Sequence, residues 1–174
     1  MPLVPVRGSR VDIGSGEARE RLAREARRLD AYNFWVLPVP ADSTGDLIVT
    51  GVTGVFLLTA CGLSGEPRLG RRPLIGDTPV PVRPLRLAAK QLGALLGRAS
   101  VFSVVEPFVV LTDATFGAAM TVEGVRFVHL DDVLKEITAR SRTLPVQRAQ
   151  RAARALGMQL AGDQRRSFSI HRSG

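Results

Sequence analysis

Apolar residues along this 174-residue chain recur in two periods, and stretches of each follow one another. Over residues 15–30, Leu22, Ala23, Ala26 and Leu29 return at the spacing of one helical face. Ser15 stands ahead of them as an N-cap, and Glu17 lies in the first turn, where the helix dipole favours acid. Residues 33–39 read as a strand carrying Phe34, Trp35 and Val36, closed by Pro38 and Pro40. Two aliphatic runs, 47–50 and 55–58, then flank Gly51-Val52-Thr53-Gly54, the pattern of a hairpin.

Residues 62–83 are rich in glycine, proline and arginine and predict irregular chain with a short strand pair. The Leu/Ala content of 86–98 predicts a helix ending near Gly97. A buried strand region follows over 100–111, in which Pro107 must occupy an irregularity or an edge. Residues 125–129 read as a strand, 131–139 as a helix with aspartate at its start, and 145–156 as a last helix. Residues 1–13 read as a loose extension and 158–174 as a basic, flexible tail. No repeat is present. The expected fold is α/β: one domain, with a mixed central sheet flanked by helices.

The hairpin invites a chemical reading. Residues two apart on a strand face the same way, so Thr59 and Cys61 point together, near Asp46 at the mouth of the hairpin. Gly54-Val55-Phe56, Leu57-Leu58, Thr59-Ala60-Cys61 and Ser64-Gly65 run on from Asp46 without a gap. In that order they resemble the nuclease-related domain (NERD) family of the PD-(D/E)XK, restriction-endonuclease-like superfamily. There an Asp-led strand is followed by Gly-Val-Phe, two apolar residues, Glu-x-Lys, a spacer and Ser-Gly. Gly16-Glu17 resembles the opening of the family's first helix, and Pro84-Leu85-Arg86 the start of its central helix. The segments 104–111 and 125–129, with Asp131-Asp132, resemble its later strands and closing helix, so the likeness covers residues 14–157.

The resemblance implies a restriction-endonuclease-like core and a degenerate active site. Family members hold Mg²⁺ through carboxylates and use the lysine beside the scissile phosphate. Here Thr59 and Cys61 stand at the Glu and Lys positions, and Asp46 is the remnant. Magnesium demands hard oxygen ligands, a hydroxyl anchors it poorly, and a thiol suits softer metals and carries no positive charge. The resemblance thus implies a non-enzymatic protein with no cofactor, binding nucleic acid or a protein partner. Its alternatives are a divergent Mg²⁺-dependent nuclease, in which Glu17, Glu20 or Glu66 replaces the missing acid, and a purely structural or regulatory interaction module. Glu17 matches a family position near the metal; Gln91 and Leu87 both remain candidates for the central-helix position.

Charge bears on the partner. The net charge is +8, and all basic residues but Lys90 and Lys135 are arginine. Residues 66–98 hold seven basic and two acidic groups, among them Arg71, Arg72, Arg86 and Lys90. Arg148, Arg151 and Arg154 recur every third residue and form one helical stripe. Contact with DNA or RNA phosphates is one reading and a solvated arginine-rich surface the other. No aromatic is interleaved with either cluster, so stacking on single strands is not indicated.

The remaining signals are weaker. A single cysteine excludes an internal disulfide framework and fits a reducing cytoplasm, and the proline- and charge-bearing N-terminus lacks a signal-peptide core. Residues 47–65 are uncharged, but four glycines and a central turn favour a buried hairpin over a membrane span. Nothing brings Cys61 to His129 as a nucleophile and base, two histidines cannot build a zinc site, and no metal site is expected.

Overall fold

The computed structural model describes residues 13–115 and 117–170; of the loose extension expected over 1–13 it describes only Ile13, which is buried, and residues 1–12, Phe116 and residues 171–174 lie outside it. In chain order the elements are α1 (Gly16–Ala26), a 3-10 segment Arg27–Tyr32, β1 (Phe34–Pro38), β2 (Leu47–Gly51) and β3 (Gly54–Cys61). The short strands β4 (Pro67–Arg68), β5 (Leu74–Ile75) and β6 (Thr78–Pro79) lead into α2 (Val82–Arg98). β7 (Val105–Leu111), β8 (Met120–Val122), β9 (Val125–His129), a 3-10 turn Leu130–Asp132, α3 (Val133–Thr138) and α4 (Val146–Ile170) complete the chain.

Six strands form one mixed sheet in the order β1-β2-β3-β7-β9-β8, and β4–β6 form a separate ribbon. β1, β2 and β3 are antiparallel neighbours, β3, β7 and β9 run parallel, and β8 returns antiparallel. The expected α/β domain with a helix-flanked mixed sheet is therefore what the chain forms.

Alternation along β3 divides the core. Phe56, Leu58 and Ala60 pack with Ala18, Leu22, Ala26 and Leu29 of the first helical segment and with Val133 and Ile137 of α3. Val55 and Leu57 face the opposite side, against Leu92, Leu95 and Leu96 of α2 and Ala149, Ala152 and Leu156 of α4. Every residue of β2 and β3 is buried, which is why the segment reads as unbroken apolar sequence. At Gly51 a side chain has no room: a Cβ there would lie 2.0 Å from the Phe34 ring on the paired strand.

Pro107 opposes Leu57 on β3, while β9 begins pairing only at Phe108, so the proline sits where β7 is locally an edge. β8, which pairs with β9 as a hairpin, is the one strand of the main sheet that residue patterning missed. The hairpin's two turn residues, Glu123 and Gly124, both have positive φ (49° and 81°), the signature of a type I′ turn. The last helix also departs from expectation. Instead of ending at Leu156 it continues to Ile170, across the stretch whose composition predicts a loose tail. Leu160 packs against the α2–α4 core cluster, which gives the added turns a tertiary anchor.

Candidate functional site

Asp46 sits one residue before β2, opposite the end of the antiparallel pairing at Leu47 and Leu58. Its backbone N–H donates to the Leu58 carbonyl at 2.9 Å. Its side chain continues the ladder that the main chain leaves off: Oδ2 accepts from the Ala60 N–H at 2.7 Å. Oδ1 accepts from Arg19 Nε at 3.0 Å, so the guanidinium on α1 faces the carboxylate. Arg19 was not singled out by the sequence; on α1, three residues before Leu22, its spacing marks no functional role.

Thr59 and Asp46 line the same cavity, of about 250 Å³, together with Arg19, Ala23, Val39, Ala41, Ser43, Gly45 and Leu47. Thr59 is buried, and its Oγ1 makes no hydrogen bond to any described residue. Cys61 lies two residues on, fully buried beside Ile13, Val109 and Leu111. Burial pushes its thiol up to about 11, the Leu63 backbone hydrogen bond opposes the rise, and the Asp113 charge adds to it. The thiol therefore stays protonated and neutral at ordinary pH, which disfavours both metal ligation and nucleophilic attack.

The alternative acids fall elsewhere. Glu17, Glu20 and Glu66 are exposed, and none lines the Asp46 cavity. Among the described residues no group of three or more His, Cys, Asp or Glu side chains is arranged to hold a metal ion. A hard divalent cation does not fit the residues present. The single carboxylate is already shared between a guanidinium and a backbone N–H, the cavity it lines offers the Thr59 hydroxyl but no second carboxylate, and Cys61 does not line it.

His129 comes closer to Cys61 than sequence alone suggests, since Cys61, Leu111 and His129 share one register across β3, β7 and β9. Two strand spacings still separate them by roughly 10 Å. His129 instead lines a second cleft, of about 460 Å³, at the carboxyl ends of β7 and β9, with Thr112, Asp113, Ala114, Thr115, Asp131 and Asp132. There its Nδ1 accepts from the Asp131 N–H at 3.2 Å, and Asp113 pairs with Arg21 at 3.1 Å.

The basic residues separate into two places. Arg71 and Arg72 are exposed on the β4–β6 ribbon, between β4 and β5. Arg83, Arg86, Lys90 and Arg98 lie exposed on α2, and Arg148, Arg151 and Arg154 exposed on α4. These two helices share one core cluster on one side of the sheet. Neither α2 nor α4 up to residue 162 contains an acidic residue. Among the described residues no carboxylate pairs with any of the seven; Arg86 alone donates, to the Glu123 carbonyl at 3.0 Å.

Comparison with protein-family models, curated proteins and solved structures finds no match for this chain. Among the described residues no helix is long and apolar enough to cross a membrane.

Proposed function

We propose that the chain is a catalytically degenerate nuclease-related domain that binds nucleic acid on its α2–α4 face without cleaving it. The observation that carries the binding half is the one-signed charge of that face: seven exposed basic side chains on two packed helices, with no acid on α2 or on α4 up to residue 162. A solvated arginine-rich surface of no particular use would intersperse both signs, as most soluble surfaces do. Arginine pairs bidentately with phosphate, and such contacts position a nucleic acid without reading its sequence.

The degenerate half is supported by the state of Asp46. In a working Mg²⁺ site the carboxylate must be available to the ion; here Arg19 neutralises it and Ala60 N–H occupies its other oxygen. The arrangement of an antiparallel β1–β2–β3 meander, a helix and a parallel β7 is compatible with the family resemblance.

The test is a fluorescence-anisotropy titration of labelled duplex DNA across salt concentrations. Binding should be indifferent to sequence and fall steeply with salt. Replacing Arg148, Arg151 and Arg154 together by Gln should lower the log–log salt slope by about 2.7, three phosphate contacts at about 0.9 each. Absence of binding at low salt, or an unchanged slope in the triple variant, rejects the α2–α4 face. Incubation with Mg²⁺ or Mn²⁺ should leave plasmid intact; cleavage abolished by Asp46→Ala rejects degeneracy.

A further inference from the structure

The loop that leaves α2 displays the most exposed large apolar side chains among the described residues: Phe102 is 80% and Val104 82% exposed. They are held out, not merely left out. Val101 N–H donates to the Leu96 carbonyl at 2.9 Å and Ser100 N–H to Gly97 at 3.0 Å, with Ser100 left-handed at φ 60°. This is a Schellman ending, and its hydrophobic contact is present, since Val101 and Leu96 are both buried in one cluster. With Val101 buried in the core, the next residue, Phe102, turns to solvent.

The position matters because it adjoins the basic face. Arg98 is the last residue of α2, four before Phe102. Thr143 and Leu144 N–H groups both donate to the Val52 carbonyl in the β2–β3 turn, at 2.8 and 3.0 Å, and β7 starts beside Val55. Exposed Arg142 and Arg148 therefore come to the same end of the sheet as the Phe102 loop, and Leu144 and Val101 share a core cluster.

We infer that Phe102 is a stacking post for one base of a single-stranded nucleic acid whose phosphates follow the arginines of α2 and α4. The inference rests on the proposed binding role of that face and names its ligand class; it departs from the sequence reading, in which neither basic cluster carries an interleaved aromatic, because the ring lies just past the end of α2. An exposed ring near a strip of guanidinium groups is what sequence-tolerant single-strand binding uses: π-faces for bases and charge for the backbone. A membrane surface fits less well. The basic residues do not ring the loop; Arg148 to Arg154 alone extend about 9 Å along α4.

The experiment compares a labelled oligodeoxythymidine with a duplex of equal length, by anisotropy, for the wild-type chain, Phe102→Ala, Phe102→Trp and the triple arginine variant. Phe102→Ala should weaken single-strand binding about 5- to 150-fold, the range for one stacked base, with the salt slope and duplex affinity unchanged. Phe102→Trp should retain binding and show indole quenching on oligonucleotide addition beyond that of Trp35 in the wild-type chain. Circular dichroism checks that both variants fold, as exposure of Phe102 leads one to expect. Single-strand affinity unchanged in Phe102→Ala overturns the stacking post, while arginine-dependent binding would still support the face. Loss of both probes' binding in the wild-type chain overturns both. Phe102-dependent sedimentation with phosphatidylcholine–phosphatidylserine vesicles, without oligonucleotide binding, overturns the inference in favour of a lipid surface.

Discussion

Replacing Asp46 by alanine separates a structural carboxylate from a catalytic one. The substitution removes two contacts at once, the Ala60 N–H at 2.7 Å and Arg19 Nε at 3.0 Å. A hydrogen bond to a charged acceptor contributes about 1.5–3 kcal/mol, and the buried Ala60 N–H would be left without its partner. The ion pair adds less, about 1 kcal/mol, because the Asp46 and Arg19 side chains keep 19% and 29% of their exposure and are partly screened. Asp46→Ala should therefore cost about 2–4 kcal/mol, which lowers Tm by roughly 5–15 °C for a domain of this size. Asp46→Asn retains an acceptor for Ala60 and should cost only about 1 kcal/mol.

Urea melts followed by circular dichroism measure these differences at constant m-value. The two readings predict opposite signs. Carboxylates held ready for a metal repel their surroundings in its absence, so removing one is neutral or stabilising. A stable Asp46→Ala variant, together with a wild-type Tm that rises on adding Mg²⁺ and a variant Tm that does not, would refute the structural assignment.

Three further expectations follow from neighbouring features. The Cys61 thiol should resist a thiol reagent at pH 8 in the folded chain and react once urea unfolds it. Its folded pKa is raised from 9.0 to about 11, so the folded state holds the proton more tightly. That stabilisation is complete below pH 9 and is lost as pH rises through 11; at pH 10 about 1 kcal/mol should be gone, a slope that Cys61→Ala removes. Arg140 pairs with Glu106 and lies over the Phe56 and Phe108 rings at 5.6 and 5.4 Å from their centroids; Arg140→Ala should cost about 2 kcal/mol by urea melt, and Lys should not restore it. Ser100→Gly should raise stability by about 1 kcal/mol, because the left-handed position at φ 60° penalises a Cβ; a loss would show that the Ser100 side chain makes a needed contact.

Much of the fold was legible because burial and period coincide. The two aliphatic runs around Gly51–Gly54 form the predicted hairpin, and Pro107 falls at a local edge, as its missing N–H requires. The failures have physical causes. β8 has three residues, two of them exposed, so no apolar alternation announces it, and its turn uses a glutamate where Asn or Asp is the usual signal. The extension of α4 depends on Leu160 meeting the core, a contact between distant segments that composition cannot reveal. At the site, strand alternation places Thr59 and Cys61 together on the face of β3 that carries Val55 and Leu57, away from Phe56, Leu58 and Ala60. It could not supply Arg19, because nothing in the local sequence of α1 says which residue will cross to the mouth of the hairpin. Nor could it bring the Phe102 loop to the end of the sheet where α4 begins: that placement runs through the β2–β3 turn, not through spacing.

On the proposed reading, Arg19 explains how such a hairpin survives the loss of its chemistry. With Glu and Lys replaced by Thr59 and Cys61, Asp46 would remain a half-buried charge with neither metal nor lysine to balance it. Half-buried charges without partners are costly, so the scaffold would either lose the acid or gain a cation. This chain has the cation: a guanidinium from the facing helix, 3.0 Å away. The second carboxylate oxygen then caps the β3 ladder at Ala60, where β2 has run out of main-chain partners. A group suited to hold a metal thereby becomes the pin between α1 and the central strand. Thr59 differs, since its buried hydroxyl makes no hydrogen bond to any described residue, and an isosteric Val removes that polar atom. Thr59→Val should accordingly be neutral or stabilising by up to about 1 kcal/mol. A clear destabilisation in the same urea melt would mean that the hydroxyl has a partner, such as bound water in the Asp46 cavity, and that the site is still built around a polar occupant.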